Sequence, residues 1–167
     1  MRRARLRMRQ GYIALLLRLM FIAIVGFISF SQLFYITQIK GLDMFPELKD
    51  GDLAIVFRMQ REYAKNDVVA YQTPDGVRFG RIVALENDTI DMNDTGIWQV
   101  NATVQGEAIL YPTYAQEGIA YPYNIPEDSV FIMGDYRTQC IDSRSYGPIA
   151  LKNVIGKLIT IMRRRKF

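Results

Sequence analysis

VFIMGDYRTQCIDSRSYGP, residues 130–148, is the stretch on which the reading of this chain turns. It opens with a short apolar run, 130–133, of strand-forming residues. A dense set of charged and small residues follows: Gly134, Asp135 and Arg137, then Asp142, Ser143, Arg144 and Gly147. A GD-x-R…DSR-x-x-G run of this kind is hard to meet by chance, and the Gly147-Pro148 turn closes it. Outward from it the chain keeps the same texture. Alternating or β-branched runs at 53–57, 68–71, 77–85, 89–92, 97–104 and 154–162 read as strands, the last of them also compatible with a helix. Turn chemistry separates them at Asp50-Gly51-Asp52, Pro74-Asp75-Gly76 and Asn93-Asp94-Thr95-Gly96. Many short strands with frequent turns predict a mainly β, antiparallel body. Residues 105–128, rich in Tyr, Pro and Gly, read as a long loop.

The other end of the chain has a different character. Residues 1–40 hold seven Lys or Arg and no acidic residue, leaving 14 Lys or Arg against 17 Asp or Glu for residues 41–167. The net +4 is therefore a property of the N-terminus, and the body, at −3, lacks the basic face of a nucleic-acid-binding domain. Five arginines in the first ten residues precede an apolar run, and residues 19–36 carry no formal charge. Eighteen residues at about 1.5 Å each approach the ~30 Å hydrocarbon core of a bilayer. Arg18 can snorkel to the headgroups. The expected organisation is a cytoplasmic basic tail, 1–10, a transmembrane anchor, 11–37, and an extracytoplasmic domain, 38–167, with orientation set by the arginine cluster. A cleaved signal peptide is the competing reading. Its apolar region is shorter, and the exit FYITQIKGLDM offers no small-x-small cleavage site. The basic tail Arg163-Arg164-Arg165-Lys166 reads equally as a solvated terminus or as a contact for anionic lipid. Three Asn-x-Thr triplets, at Asn87, Asn93 and Asn101, read as turn and strand residues.

The chain has no histidine, which removes Ser-His-Asp and Cys-His catalysis and imidazole metal sites. Its single cysteine, Cys140, excludes an intramolecular disulfide and a Cys-rich zinc site, and reads best as a small buried residue. No metal or cofactor is expected.

Three segments in order carry a family resemblance. The first is Gly41-Leu42-Asp43-Met44-Phe45-Pro46-Glu47-Leu48 with Gly51-Asp52 behind it, and the second is Phe79-Gly80-Arg81-Ile82-Val83-Ala84-Leu85-Glu86-Asn87-Asp88. The third is the run quoted above. Together with the anchor they resemble type I signal peptidases, particularly the short Gram-positive kind. The resemblance covers nearly the whole chain and implies a β domain lying against the membrane, with a Ser-Lys dyad that cuts signal peptides. Here Asp43 stands at the serine position and Gly80 at the lysine position. Cys140 stands where the family usually has a serine that helps to orient the lysine. The resemblance also implies a structural ion pair between Asp142 and Arg144.

A Ser-Lys mechanism needs a hydroxyl nucleophile and a neutral amine base. Gly80 has nothing to titrate, Arg81 is always protonated, and a lone Asp43 carboxylate is a poor nucleophile toward an amide. The sequence therefore points to a pseudo-enzyme. A carboxylate at position 43 is expected to accept backbone N–H bonds or to meet a partner's basic group, the alternative being a site simply open to water. The family's substrate lies extended between two strands, which places a peptide groove here along Ile39, Met44, Phe79 and Ile82, each of which also fits an ordinary core.

The leading expectation is a non-catalytic, membrane-tethered binding protein or chaperone for secreted or cell-wall precursors. It resembles the degenerate signal-peptidase-like accessory proteins of pilus assembly, with pilin precursors and a sortase as implied partners. The alternatives are an active signal peptidase with atypical catalytic residues, and a membrane-surface scaffold with a filled groove. The sequence sets no oligomeric state.

Overall fold

The structure, a computed structural model, describes residues 2–93, 95–106 and 111–163, with side chains from residue 11 onward. The expected contribution of the basic tail at 164–166 lies outside the described residues. The chain divides into two compact units, Met1–Phe34 and Tyr35–Phe167.

The first unit is one helix, α1, Arg2–Leu33. Its stretch Gly11–Leu33 is long and apolar enough to cross a membrane, and its side chains are exposed throughout. At about 1.5 Å per residue its 23 residues reach ~35 Å. The helix ends four residues before the expected end of the anchor at 37. Phe34, Tyr35, Ile36 and Thr37 continue the apolar run in composition, but they are aromatic and β-branched residues and form a strand instead.

The second unit is mainly antiparallel β. Its strands are β1 Phe34–Gln38, β2 Leu53–Phe57, β3 Val68–Thr73, β4 Gly76–Ala84, β5 Thr89–Met92, β6 Trp98–Val100, β7 Thr103–Val104, β8 Tyr123–Asn124, β9 Ser129–Met133, β10 Ile149–Ala150 and β11 Val154–Met162, with a one-turn helix, α2 Ser143–Tyr146, before β10. Seven strands form one sheet in the order β1-β2-β11-β3-β4-β9-β10, and four form a second, β7-β6-β5-β8. The strand expected over 97–104 is a hairpin, β6 and β7, because Asn101 and Ala102 adopt left-handed φ values of 51° and 62° at its turn.

The parity of β3 fixes the core. Val68 and Ala70 face a cluster with Ile39, Met44, Leu48, Ala54, Val56 and Phe79. Val69 and Tyr71 face a second one with Ile82, Val130, Ile132 and Ile149. Both faces of the strand are covered, which is why it reads as a continuous apolar run. A third cluster, centred on Ile90, Trp98, Ile125 and Phe131, lies under the smaller sheet.

Candidate functional site

Three of the residues singled out in the sequence converge at the C-terminal end of β9. A Cβ placed on Gly134 would stand 2.6 Å from the Asp43 carbonyl and 2.7 Å from Cys140 Sγ, so only glycine lets these two segments approach it. The Tyr136 amide donates to the same Asp43 carbonyl at 2.9 Å. Gly80, on β4, lies beside the preceding residue: a Cβ there would stand 3.4 Å from the Met133 carbonyl. It would also stand 2.4 Å from Ile132 Cγ2 and 3.3 Å from Tyr71 Cε1. The position is thus closed to a side chain unless Ile132 moves.

The run after β9 folds into a buried knot around one carboxylate. Arg144 grips Asp142 with two parallel bonds, Nε to Oδ1 and Nη2 to Oδ2, both 2.9 Å. Asp142 also caps α2 by accepting from the Arg144 amide, and it accepts from the Gly134 amide and from Cys140 Sγ. Arg144 continues outward, donating to the carbonyls of Arg137 and Tyr114. Burial works against the charge on Arg144, but the bonds to Asp142 outweigh it and hold its pKa above the ordinary value. Ser143 Oγ accepts from the Ile132 amide, tying the knot to β9. Arg137 is buried, donates to Thr113 Oγ1 and lies over the Trp98 ring. Asp135 takes Arg81 in a second two-pronged pair, Nε to Oδ1 at 2.9 Å and Nη2 to Oδ2 at 2.7 Å, with Glu47 on the same nitrogen. Arg81 is therefore spent on holding β4 to the loop. Burial, followed by the neighbouring Asp142 charge, pushes the Cys140 thiol up to about 12, so it stays protonated and is no nucleophile at neutral pH.

Asp43 makes a contact that the sequence reading did not name. Among the described residues no backbone amide donates to its side chain, which stays about one-quarter exposed. Its Oδ2 takes Arg78 Nη1, on β4, at 3.1 Å. Burial raises the Asp43 pKa above 3.8 and Arg78 only partly counters it. Arg78 Nη2 lies 3.9 Å from a second carboxylate, Asp75. The signal was available, since a carboxylate near an apolar groove needs a cation, and Arg78 lies two residues from Gly80.

The groove residues need correction. Ile39, Met44 and Phe79 are all at most 5% exposed and belong to one core cluster, while Ile82 is fully buried on the opposite face of β4. The open cleft, of about 420 Å3, is walled instead by β1 and the segment after it (Tyr35, Thr37, Gln38, Lys40, Gly41, Asp43) and by the β3–β4 turn (Asp75 to Arg78). The chosen residues bury their side chains because the cleft is lined by their sequence neighbours. Both walls keep strand edges available. β1 lies at the edge of its sheet. The pairing of β9 on β4 begins at Arg81, so among the described residues 76–80 have a strand partner on one side only, β3.

Residues 12–163 match the family model for signal peptidase, peptidase S26. The chain belongs to this family. Among signal peptidase relatives, the probable thylakoidal processing peptidase 2 of Arabidopsis thaliana is 33% identical over 138 residues, 73% of this chain and 36% of that protein. Signal peptidase I V of Bacillus subtilis is 24% identical over 135 residues, 71% of this chain and 80% of the relative. The chain spans less than half the length of the two thylakoidal processing peptidases it matches. A crystal structure of a signal peptidase I from Enterococcus faecalis aligns with 59% of this chain and 98% of its own, at 20% identity and a TM-score of 0.48. Family membership and the apolar N-terminal helix together point to a membrane-anchored signal peptidase homologue.

Proposed function

We propose that this chain is a non-catalytic signal peptidase homologue, a membrane-anchored binding protein or chaperone for secreted and cell-wall precursors that assists sortase-dependent pilus assembly. The observation that carries the reading is Gly80. It supplies no base, and Ile132 and Tyr71 occupy the space into which a side chain would project. Lys40, which lines the cleft, is exposed, whereas a lysine base has to be desolvated. Binding rests on the cleft, whose two free strand edges suit an extended peptide: backbone bonds give affinity and side-chain contacts give preference. The N-terminal arginines favour a cytoplasmic tail, with the β body outside a bacterial cell membrane. Pilin precursors and a sortase enter as partners through the family resemblance.

A second reading, an active signal peptidase with atypical residues, has one observation in its favour: burial raises the Asp43 pKa, as in a carboxyl group tuned for proton transfer. An aspartic mechanism needs a second carboxylate sharing a proton with Asp43, and Asp142 is instead bonded to Arg144.

Binding is tested by fluorescence polarisation of a labelled precursor peptide on the full chain in detergent, against Thr37→Trp, which fills the cleft from β1. Loss of binding with an unchanged melting temperature supports the reading. Undiminished binding by the variant places the peptide elsewhere and removes the cleft from the account.

A further inference from the structure

Arg78 stands between two carboxylates that differ in burial. On one side is Asp43, whose side chain is 25% exposed, and on the other is Asp75, 82% exposed on the β3–β4 turn. The Asp43 contact is a hydrogen bond at 3.1 Å, and the Asp75 contact is a looser approach at 3.9 Å. All three residues wall the cleft whose edges are free for a peptide backbone.

We infer that the cleft takes an extended peptide carrying a cationic side chain, lysine or arginine, which replaces Arg78 on Asp43 while Arg78 swings to Asp75. This inference rests on the peptide-binding reading and adds the charge of the occupant.

Charge accounting decides the sign. A guanidinium moving from Asp43 to Asp75 keeps a carboxylate partner throughout and needs only a side-chain rotation. Asp43 is the group that cannot be left alone, because a half-buried carboxylate without a cation or donor carries its full desolvation cost. An incoming cation satisfies it, and Asp43, Arg78 and Asp75 all end with an opposite charge beside them. An incoming carboxylate would have to capture Arg78 and strand Asp43. Lys40, also at the cleft, is exposed and opposes a cation only through a water-screened field. A neutral side chain leaves the Asp43–Arg78 pair in place and reads only the strand edges.

The test uses the full chain in detergent and a fluorescein-labelled ten-residue peptide of Ala, Val and Leu. One lysine is stepped along its length, with norleucine and glutamate replacing it in matched series. The expected result is one register in which the lysine peptide binds about fivefold tighter than its norleucine match and glutamate binds weakest, the gain of a partly exposed pair. The lysine-to-norleucine ratio falls toward one in Asp43→Asn and is reduced in Asp75→Asn. Equal binding of the three series overturns the exchange and leaves the peptide groove standing. Tightest binding by the glutamate series overturns it in favour of an anionic occupant captured by Arg78. No binding by any series, norleucine included, removes the groove itself and the exchange with it.

Discussion

Two of the Asp–Arg pairs in this domain, Asp142–Arg144 and Asp43–Arg78, differ mainly in how much water reaches them. Asp142 and Arg144 are 2% and 1% exposed, doubly bonded, and surrounded by further donors and acceptors from β9, α2 and the long loop. Asp43 and Arg78 are each about one-quarter exposed and share a single bond across a cleft. The first pair organises the fold, since among the described residues neither charge has an alternative ion-pair partner. The second is open to exchange, because Arg78 has another carboxylate within reach. The same chemistry is structural where it is sealed and available for recognition where it is wet.

The most forceful way to break this contrast is to remove the buried cation. Arg144→Met leaves Asp142 charged in the interior and is expected to cost about 3–5 kcal/mol, read from denaturant unfolding. A cost below about 1 kcal/mol would put the two pairs in one class. Next in size is Gly80→Ala, which drives a methyl into Ile132 and is expected to cost about 1–3 kcal/mol. Adding Ile132→Ala is expected to relieve the clash, so that the double mutant is less destabilised than the sum of the single ones. By the same geometry, the reversion Asp43→Ser with Gly80→Lys should gain signal-peptide cleavage only when Ile132 is also trimmed. Arg78→Gln and Asp43→Asn come third, each expected to change stability by no more than about 1 kcal/mol. The smallest effect is in pH. The Asp43 pKa lies above its ordinary 3.8 in the folded state, so the folded chain holds this proton more tightly than the unfolded one. Its contribution is therefore present at low pH and lost as pH rises through the raised value. Wild type should lose stability relative to Asp43→Asn over that window, and a difference that grows with pH in the other direction would reverse the assignment.

Much of the β body is legible in the sequence, because alternation and turn residues act locally. The strands at 53–57, 89–92 and 154–162 fall where period and punctuation put them. β1 escapes, since its aromatic and β-branched residues extend the apolar run of the helix without a break. β8 and β10, two residues each, are too short to show a period and exist only through their partners. At the site, the cluster of charge at 134–147 announces a polar knot, but not that Asp142 sits at its centre. The cleft lining departs from the residues that the sequence suggests. Apolar residues beside the two key positions suggest a lining, yet they turn inward, and it is Thr37, Lys40 and Arg78 that face the opening. The Arg78–Asp43 contact joins residues 35 apart: the need of the carboxylate for a cation is legible in the sequence, and the choice of Arg78 is set by the folded arrangement of β4 against the 41–43 segment.

The central claim is that this signal peptidase homologue binds without cutting. It is tested most directly by incubating full-length protein in detergent with a signal-peptide-bearing pre-protein and sequencing the N-terminus of any product. The account predicts intact pre-protein at every time point. Cleavage at the signal-peptide site, abolished by Asp43→Ala, would contradict it and establish a carboxylate-dependent peptidase.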